Sequence, residues 1–490
     1  MDINSLAPNL IEVLKYNPLQ PLLFNSGFFL FFFIFILVFY RFFWKNYRAK
    51  VLFLMIMSLY FYYKSSGVFF VLIIISSIID FIAGKLIHES ESPGYRKSML
   101  VVSLVMNLGI LGYFKYTNFF LDTLNQIGVG NFDMLDIFLP VGVSFFTFQS
   151  MSYTIDIYRR QLEPEKKFTD FLFFVSFFPQ LVAGPIVRAS DFLPQIKNDV
   201  YVSKEDIGRA LFLIIAGLFK KAVIADYISI NFIDRVFEWP TRFTGVENLL
   251  ALYAYSIQLY CDFSGYSDMA IGLALLLGFK LPINFNSPYK SASITEFWQR
   301  WHISLSSWLR DYLYIGLGGN RKGKIRTYVN LILTMLLGGL WHGASWRMVI
   351  WGFIQGLALA VERKLGIKKW TEKSTLNRVI GFLVTFNLFT FTLLFFRAQS
   401  HQVALEMIAQ MWNYFHPEVF LQFVEGYTLV FVLVVIGYLT HFTPQSWEEK
   451  IQVFITKLTF IWKALLIAAV IWIVAQFKSA DIQPFIYFQF

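Results

Sequence analysis

The chain has 490 residues, of which 57% are hydrophobic, 19% aromatic and only 15% charged, and its mean hydropathy is +0.55. Soluble domains carry roughly 25% charged residues, so this composition excludes a water-soluble globular protein and predicts an all-α polytopic membrane protein. The excess of 42 Lys and Arg over 32 Asp and Glu gives a net charge of +10, which in a membrane protein indicates anchoring of cytoplasmic loops rather than nucleic-acid binding. The single cysteine, Cys261, excludes an intramolecular disulfide and a thiolate metal cluster.

Five apolar runs in the first third of the chain predict membrane spans. They lie at about residues 22–40, 52–63, 68–86, 99–120 and 137–158. The first run lacks a basic leader and a small-residue cleavage site, which favours a retained span over a signal peptide. Basic residues follow this run at once, whereas the segment before it is nearly neutral, so the N-terminus is predicted to be extracytoplasmic.

The middle of the chain begins with an irregular apolar segment. Residues 171–186 contain Pro179, Gln180, Gly184 and Pro185. Broken backbone at membrane depth is tolerated only where it is buried in protein or lines a cavity. The segment therefore predicts a short re-entrant or kinked element.

Two apolar runs that follow contain charged residues. The run at 210–227 includes Lys220 and Lys221, whose long side chains are predicted to snorkel to the inner interface. The run at 248–279 includes Asp262 and Asp268. A carboxylate within such a run is expected to be paired or to line a cavity, and Arg300 and Arg310 are the candidate partners.

The last third of the chain contains residues 295–352, in which two of the six histidines, His302 and His342, lie among aromatic residues. Three further apolar runs follow at about 379–396, 427–440 and 460–477. The whole chain then has about eleven membrane elements. We interpret residues 1–490 as a single integral membrane domain and residues 295–352 as its catalytic core.

The first half of this core stretch has the pattern of an amphipathic helix. His302 falls on an aromatic face with Trp298 and Trp301, whereas the opposite face is polar. Glu296 and Arg300 are four residues apart and predict a helical ion pair. The pattern predicts one helix that lies at the interface or lines an aqueous cavity, with His302 on its aromatic side.

The second half predicts a helical hairpin with His342 at its tip. Gly338, Gly339 and Gly343 surround this histidine, and basic residues lie at both ends of the hairpin. The rising run has about 16 residues, or roughly 24 Å of helix, which is shorter than the hydrocarbon core of about 30 Å. His342 is therefore expected inside the bilayer. The basic residues before the hairpin, predicted to be cytosolic, are Arg321, Lys322, Lys324 and Arg326.

An imidazole in such a position is a general base, a metal ligand or a structural hydrogen-bonding group. Isolated histidines on apolar faces are more often structural, but a polar group inside a membrane is costly unless it is functional or paired. His302 and His342 form no HxxxH or HExxH pattern, so a metal site is disfavoured. The chain also lacks the GxSxG elbow of serine hydrolases. A histidine that takes the proton of a substrate hydroxyl needs no protein nucleophile.

Four long motifs occur in order along the chain: FFPQLVAGPIVR at 177–188, YCDFSGYSDMAIG at 260–272, RWHISLSSWLRDYLYIGLGGNRKG at 300–323 and LLGGLWHGASW at 336–346. Together they resemble the motifs of bacterial membrane-bound O-acyltransferases of the alginate O-acetyltransferase type. The resemblance extends to the final IQPFIYFQF. It implies broken helices around a central reaction tunnel and acyl transfer across the membrane, with His342 as the catalytic histidine and His302 as the second histidine of the site.

The resemblance also implies the substrates and the partners. The acyl donor is expected to be a cytosolic thioester, acetyl-CoA, attracted by the basic cluster before the hairpin. The acceptor is expected to be an exported polysaccharide, reached directly or through extracytoplasmic acetylation proteins. No permanently bound cofactor, metal or nucleic acid is expected, and the location is the bacterial cytoplasmic membrane.

Further candidates line the tunnel or contact substrate. These residues are Gln180, Arg188, Asp262, Arg300, Trp301 and Trp341. Packing or polar pairing would explain several of them equally well. The remaining histidines lie near loops or span ends, where solvated or interfacial roles are expected; they are His88, His401, His416 and His441.

Two other functions compete with acetyl transfer. The first is transfer of another acyl group, such as D-alanine from a carrier protein to teichoic acid. The second is a membrane transporter or scaffold without catalytic activity. Inverted repeats would favour a transporter, and the sequence contains no internal repeat.

Overall fold

The computed structural model describes residues 12–18, 20–199, 201–477 and 485. Throughout these residues the regular secondary structure is helical, so the predicted all-α architecture is confirmed. The predicted position of the N-terminus and most of the final IQPFIYFQF motif lie outside the described residues.

The chain forms two compact units. Unit 1 comprises Met1–Asp206 and Leu273–Pro282, and unit 2 comprises Ile207–Gly272 and Ile283–Phe490. Two of the boundaries between the units fall inside helices. Each unit therefore combines two segments that are not consecutive in the chain. A single domain over residues 1–490 stays a prediction.

Unit 1 contains the early predicted spans. Its described α-helices are α1 Gly27–Phe43, α2 Tyr47–Ser66, α3 Phe70–Glu89, α4 Pro93–Leu111, α5 Thr117–Gln126, α6 Val143–Tyr158, α7 Phe168–Ser176, α8 Phe178–Leu181 and α9 Ala189–Lys197. Polar residues before several helices accept a backbone hydrogen bond from the first turn, as Ser26 does from Phe29 N–H and Asn46 does from Ala49 N–H. These caps explain why helices begin where polar residues interrupt the apolar runs.

The irregular segment predicted at 171–186 is a broken helix. Helix α7 ends at Ser176, and the short α8 follows before the chain becomes extended. Gly184 lies against this turn, because a Cβ added there would come within 2.5 Å of Gln180 Cα. The predicted break is confirmed, and its depth in the membrane stays a prediction.

Unit 2 holds both histidines of the core stretch. Its described α-helices are α10 Lys204–Leu218, α11 Asp226–Ile228, α12 Asp234–Glu238, α13 Gly245–Leu276, α14 Ile294–Arg300, α15 Ile303–Trp308, α16 Lys324–His342, α17 Trp346–Leu365, α18 Ile367–Thr371, α19 Thr375–Arg397, α20 His401–Asn413, α21 Val419–Gly426, α22 Thr428–Phe442, α23 Gln445–Lys457 and α24 Phe460–Phe477. The first three residues of α10 and the last four of α13 belong to unit 1.

Wider π-helical turns and tight 3₁₀ turns join several of these helices. The π-helical stretches are Gly112–Tyr116 in unit 1 and Phe219–Ala225, Ser229–Ile233 and Leu309–Tyr314 in unit 2. The 3₁₀ turns are Gly67–Phe69, Pro240–Arg242 and Pro288–Lys290. Turns of the π type often occur at functional sites in helical proteins.

Among the described residues, four helical stretches are long and apolar enough to cross a membrane. They are Tyr47–Glu89, Pro93–Gln126, Thr375–Arg397 and Phe460–Phe477. The bent pair α21 and α22, with a 93° angle between the helices, gives a fifth if it counts as one span. Other predicted runs form shorter helices, such as α1 with 17 residues and α6 with 16. A multi-pass membrane protein is supported, and the count of about eleven elements stays a prediction.

Candidate active site

His342 is the last residue of α16, and the chain returns through α17 after a tight turn. The two helices pack closely because glycines face each other. A Cβ added to Gly339 would lie 2.2 Å from Met348 O, and one added to Gly352 would lie 2.4 Å from Met335 O. Small residues at a helix interface permit this approach of the backbones. The predicted hairpin with His342 at its tip is confirmed.

His302 lies in a break between two helices, so the prediction of one continuous amphipathic helix is wrong. Helix α14 ends at Arg300 and α15 begins at Ile303, while His302 has the left-handed backbone angle φ 44°. The backbone N–H of Ile303 donates to Asn284 O at 2.9 Å. This hydrogen bond to a neighbouring loop replaces a helical one. Left-handed backbone in a residue with a side chain is uncommon and frequently occurs at functional sites.

Side chains from α17 hold the broken helix against the hairpin. Glu362 Oε2 accepts hydrogen bonds from the backbone N–H groups of Ile294 and Thr295, at 2.6 and 3.2 Å. A carboxylate stabilises the positive end of a helix dipole in this position. One helical turn along α14, Trp298 Nε1 donates to Gln355 Oε1 at 3.3 Å. These contacts set the position of His302 relative to His342.

The two imidazoles share one buried aromatic site. Their ring centroids are 6.4 Å apart, and the exposed fractions are 0% for His302 and 3% for His342. Trp341 contacts both rings, at 6.1 Å from His302 and 5.1 Å from His342. Trp351 and Phe396 pack against His342 at 5.4 and 5.5 Å. The structure therefore brings together two histidines that are 40 positions apart in the sequence.

Asn284 fixes the tautomer of His302. Its Oδ1 accepts from the backbone N–H and the hydroxyl of Ser304, at 3.3 and 2.9 Å, which identifies this atom as the carbonyl oxygen. His302 Nδ1 lies 3.2 Å from the same oxygen. Because a carbonyl oxygen only accepts, Nδ1 carries the proton, and Nε2 of the neutral ring is an acceptor. Asn284 Nδ2 in turn donates to Ser267 Oγ at 3.2 Å.

Sequence reasoning missed Asn284 and Glu362 as positioning residues. Asn284 lies in the polar loop between α13 and α14, and Glu362 lies in an apolar helix beside Arg363 and Lys364. The signal available in the sequence was a lone acidic residue in an apolar run, and the structure shows that Glu362 is only 7% exposed. Because Arg363 and Lys364 follow Glu362 in the sequence, the three residues had the pattern of a solvated charge cluster.

The two candidate tryptophans and Arg300 lie around the histidines. Trp301 is buried and packs against Phe285 and Phe389, with centroids 5.1 and 5.3 Å away. Arg300 forms the predicted ion pair with Glu296, at 2.9 Å. A contact of Arg300 or of Trp301 with substrate stays a prediction.

Asp262 pairs with Lys221, at 2.5 Å, so neither Arg300 nor Arg310 is its partner. Lys221 also contacts Asp226, at 2.7 Å, and its side chain is only 4% exposed. The prediction that Lys221 snorkels to the interface is therefore wrong. A lysine between two carboxylates compensates the charges that burial would otherwise penalise.

Asp268 and Arg310 also have other partners than predicted. Asp268 pairs with Lys220, so this lysine too is engaged in an ion pair within the protein. Arg310 pairs with the adjacent Asp311, at 2.7 Å. Sequence spacing did not reveal the pair of Lys220 and Asp268, because the two residues lie 48 positions apart.

Gln180 and Arg188 belong to unit 1. Gln180 is 2% exposed and its Nε2 donates to Phe174 O at 2.7 Å, which helps to satisfy the broken backbone after α7. Arg188 is half-buried immediately before α9. Their assignment to the reaction tunnel stays a prediction.

The basic cluster before the hairpin is exposed. Its members are Arg321, Lys322, Lys324 and Arg326. Its cytosolic position and its contact with a donor stay predictions.

Of the four remaining histidines, one differs from expectation. His401 and His416 are exposed and His88 is half-buried, as interfacial positions require. His441 is 4% exposed, so the prediction of a solvated or interfacial role is wrong for this residue. It lies in the last turn of α22, where Tyr260 and Tyr289 cover the ring at 4.4 and 5.0 Å.

The part of the chain that the structure describes contains no group of three or more His, Cys, Asp and Glu side chains with the geometry of a metal site. Two neighbouring imidazoles can transfer protons and form hydrogen bonds.

Comparison with known proteins identifies the family. The model of the membrane-bound O-acyltransferase family matches residues 104–398, more than half of the chain. Over 420 residues, 80% of either chain, the sequence is 39% identical to peptidoglycan O-acetyltransferase of Helicobacter pylori. Over 320 residues it is 48% identical to probable alginate O-acetylase of Pseudomonas aeruginosa, covering 64% of this chain and 60% of that protein.

A more distant relative is named for the transfer of another acyl group. The chain is 31% identical over 289 residues to teichoic acid D-alanyltransferase of Streptococcus thermophilus, covering 52% of this chain and 68% of that protein. The family resemblance inferred from the four motifs is thus confirmed. The chain belongs to the membrane-bound O-acyltransferase family.

Proposed function

We propose that this acyltransferase moves an acetyl group from a cytosolic thioester, acetyl-CoA, to hydroxyl groups of an exported polysaccharide, directly or through an extracytoplasmic partner protein. The observation that carries the proposal is the pairing of His302 and His342 in one buried aromatic site, with ring centroids 6.4 Å apart. The relatives named for acetylation of peptidoglycan and alginate support acetyl as the group and a polysaccharide as the acceptor.

In the proposed reaction, the acceptor hydroxyl oxygen attacks the carbonyl carbon of the thioester while His342 accepts the hydroxyl proton. The tetrahedral intermediate collapses as the carbon–sulfur bond breaks, and the leaving thiolate takes the proton back from His342. The products are an O-acetyl ester and a free thiol, so no further co-reactant is consumed. An imidazole suits both steps, because its ordinary pKa of about 6.5 lets it accept and return a proton near pH 7.

His302 acts in this scheme as a positioning residue. Sequence reasoning left two roles open, orientation of the base and stabilisation of developing negative charge. A neutral His302 with its proton on Nδ1 presents a lone pair at Nε2, and a lone pair does not donate to an oxyanion. Orientation of His342, together with Trp341, which packs against both rings, is the role that this tautomer supports.

The remaining residues are assigned by charge and position. The exposed Arg321, Lys322, Lys324 and Arg326 would attract the phosphates of the donor from the cytosol. The acceptor would enter from the opposite side of a bacterial cytoplasmic membrane, with the N-terminus extracytoplasmic. Asp262 would stabilise the tunnel through Lys221, and Arg300 and Trp301 would line it.

The test uses purified protein in proteoliposomes, radiolabelled acetyl-CoA and an oligosaccharide acceptor. We expect His342→Ala to lower the rate of label transfer by about 10²- to 10⁴-fold, the usual contribution of a general base. His401→Ala, at an exposed histidine, is the matched control and should keep the wild-type rate. Label transfer by His342→Ala at the wild-type rate would refute the role of this histidine.

The same assay separates the donor classes. A D-alanyl thioester on a carrier protein replaces acetyl-CoA in a parallel reaction, because one relative is named for D-alanyl transfer. Transfer of D-alanine without transfer of acetyl by the wild-type protein would overturn the acetyl assignment and favour the alternative.

A further inference from the structure

Two arginines meet beside the turn of the active-site hairpin. Arg347 lies in the first turn of α17, and Arg397 is the last residue of α19. Arg347 Nη1 donates to the carbonyl oxygen of Ala398 and, at 3.4 Å, to that of Phe395. The contact caps the C-terminal end of α19, where positive charge is favourable. It also holds the Arg347 guanidinium against the backbone on either side of Arg397.

Only one of these arginines has a counter-charge. Arg397 Nη2 pairs with Asp234 Oδ1 at 2.6 Å, and the two side chains are 18% and 35% exposed. Arg347 is also partly exposed, and the cap uses only its Nη1. In the part of the chain that the structure describes, its Nε and Nη2 have no acceptor and no carboxylate pairs with it. Two nitrogens of an accessible guanidinium are therefore available to a ligand.

The position of Arg347 in α17 adds to the positive potential. Arg347 is the second residue of this helix of 20 residues. A positive side chain in the first turn opposes the helix dipole, whereas an anion at the same place is stabilised. An unpaired charge in an apolar helix is costly and usually marks a functional site. The start of α17 and the two guanidinium groups therefore favour an anionic ligand.

The inner side of the cluster contains an unused hydroxyl group. Tyr255 of α13 is fully buried and packs against Phe237, with ring centroids 5.6 Å apart. The Arg397 guanidinium lies 5.7 Å from the same Phe237 ring, and the Tyr255 hydroxyl lies in the field of both arginines. Among the described residues, this hydroxyl has no hydrogen-bond partner. Buried polar groups are normally satisfied, so the protein alone does not complete this cluster.

The cluster lies next to His342. Arg347 and Trp351 are four residues apart on α17 and share one face of the helix, and the Trp351 ring lies 5.4 Å from the His342 ring. Phe396, which directly precedes Arg397, packs against His342 and Trp351 at 5.5 and 5.1 Å. About one helical turn, roughly 5.4 Å along the axis, therefore separates Arg347 from the level of the proposed base.

We propose that Arg347 binds a carboxylate of the acceptor, with Arg397 adding positive potential, so that the preferred acceptor is an acidic sugar. The inference rests on the proposed function, in which a polysaccharide hydroxyl is acetylated. The paired N–H groups of a guanidinium match the two oxygens of a carboxylate. With the carboxylate at Arg347, a hydroxyl of the same or the adjoining sugar reaches His342. The two arginines are thus specificity residues, and the base remains His342.

The test compares an oligosaccharide of a uronic acid with its methyl ester, which has the same hydroxyl groups and no charge. Wild-type protein in proteoliposomes should have the lower KM for the acid. We expect Arg347→Gln to raise this KM by about 10- to 100-fold, the usual effect of one hydrogen bond between charged groups, with a smaller change in kcat. The KM for the ester should change by less than about twofold, because the ester does not use the charge.

Two further variants separate binding from structure. Arg363→Gln is the matched control, since Arg363 is exposed near the other end of α17 and the change in charge is the same. It should keep the wild-type KM for both acceptors. Arg347→Lys keeps the charge but loses the fork, so its KM for the acid should lie between those of wild type and Arg347→Gln.

Equal KM increases for the acid and the ester in Arg347→Gln would reduce Arg347 to a cap on α19 and overturn the inference. A wild-type protein with one KM for both acceptors would overturn it too. An increase with oligomeric glycerol phosphate and none with the uronate would reject the carboxylate. Absence of acetyl transfer to any acceptor by the wild-type protein would instead count against the proposed function, so the two failures are distinguishable.

Discussion

Two buried polar clusters, one in each unit, differ in how the backbone presents them. In unit 1, Asp80 is fully buried on the regular helix α3, and its carboxylate accepts from Ser103 Oγ at 2.6 Å and from Asn107 Nδ2 at 2.9 Å. In unit 2, His342 ends a helix and His302 occupies a left-handed break. Burial is similar in both places, and only the second departs from regular helical geometry.

Backbone geometry distinguishes a structural cluster from a functional one inside an apolar protein. The Asp80 cluster consists of short polar side chains that satisfy one another between packed helices, as a structural network does. The histidine pair is held by groups outside its own helices, with Asn284 on His302 and Glu362 at the start of α14. Broken backbone that is stabilised by distant residues favours a functional site.

Removal of Lys221 tests whether a buried unpaired charge by itself causes a large loss in the free energy of unfolding. Lys221→Met leaves Asp226 and Asp262 buried without their counter-charge, and we expect the free energy of unfolding to fall by about 3–5 kcal/mol. The measurement is chemical unfolding in detergent micelles. The adjacent Lys220→Met is the control, since its pair with Asp268 is partly exposed and removal should cost about 1 kcal/mol or less. Equal losses in both variants would contradict the burial argument.

Separation of the hairpin helices tests the placement of His342. In Gly339→Ala the new Cβ would collide with Met348 O, so α16 must shift and carry His342 with it. A displacement of about 1 Å is expected to lower kcat by about 10²-fold. Gly338→Ala is the neighbouring control, because its Cβ meets only the flexible Leu309 side chain, at 3.2 Å. If both variants keep the wild-type kcat, close packing of the hairpin does not position the base.

Removal of Asp80 should affect stability rather than transfer. Asp80→Ala deprives Ser103 and Asn107 of their acceptor, which should lower the free energy of unfolding by about 1–3 kcal/mol. The acetyl-transfer rate at a temperature well below unfolding should stay within a factor of about three, a change of less than 1 kcal/mol. A loss of activity with unchanged unfolding would show that the two clusters do not differ in role.

The hairpin was predictable because local patterns specify it. Glycines around His342 and basic residues at both ends mark where the chain turns, and each signal lies within a few residues of the feature that it predicts. The same holds for the break after α7, where Pro179 and Gly184 interrupt an apolar run. The family motifs agreed with these patterns.

The break at His302 was not predictable from periodicity, because a hydrogen bond to Asn284 overrides a helical pattern that continues through it. The pairing of Asp262 with Lys221 and the burial of His441 were missed for a similar reason. The ion pair and the burial of His441 both depend on helices that are distant in sequence. Residue spacing within one helix does not predict such partners.

We infer that His342 performs chemistry whereas Asp80 maintains structure. The most direct measurement compares His342→Ala and Asp80→Ala in the same proteoliposomes, with the rate of acetyl transfer from acetyl-CoA and the unfolding midpoint recorded for each. We predict opposite patterns. His342→Ala should lose about 10²- to 10⁴-fold in rate with little loss of stability, and Asp80→Ala should lose stability with little change in rate. A His342→Ala protein that unfolds as wild type does and still transfers acetyl at the wild-type rate would contradict the claim.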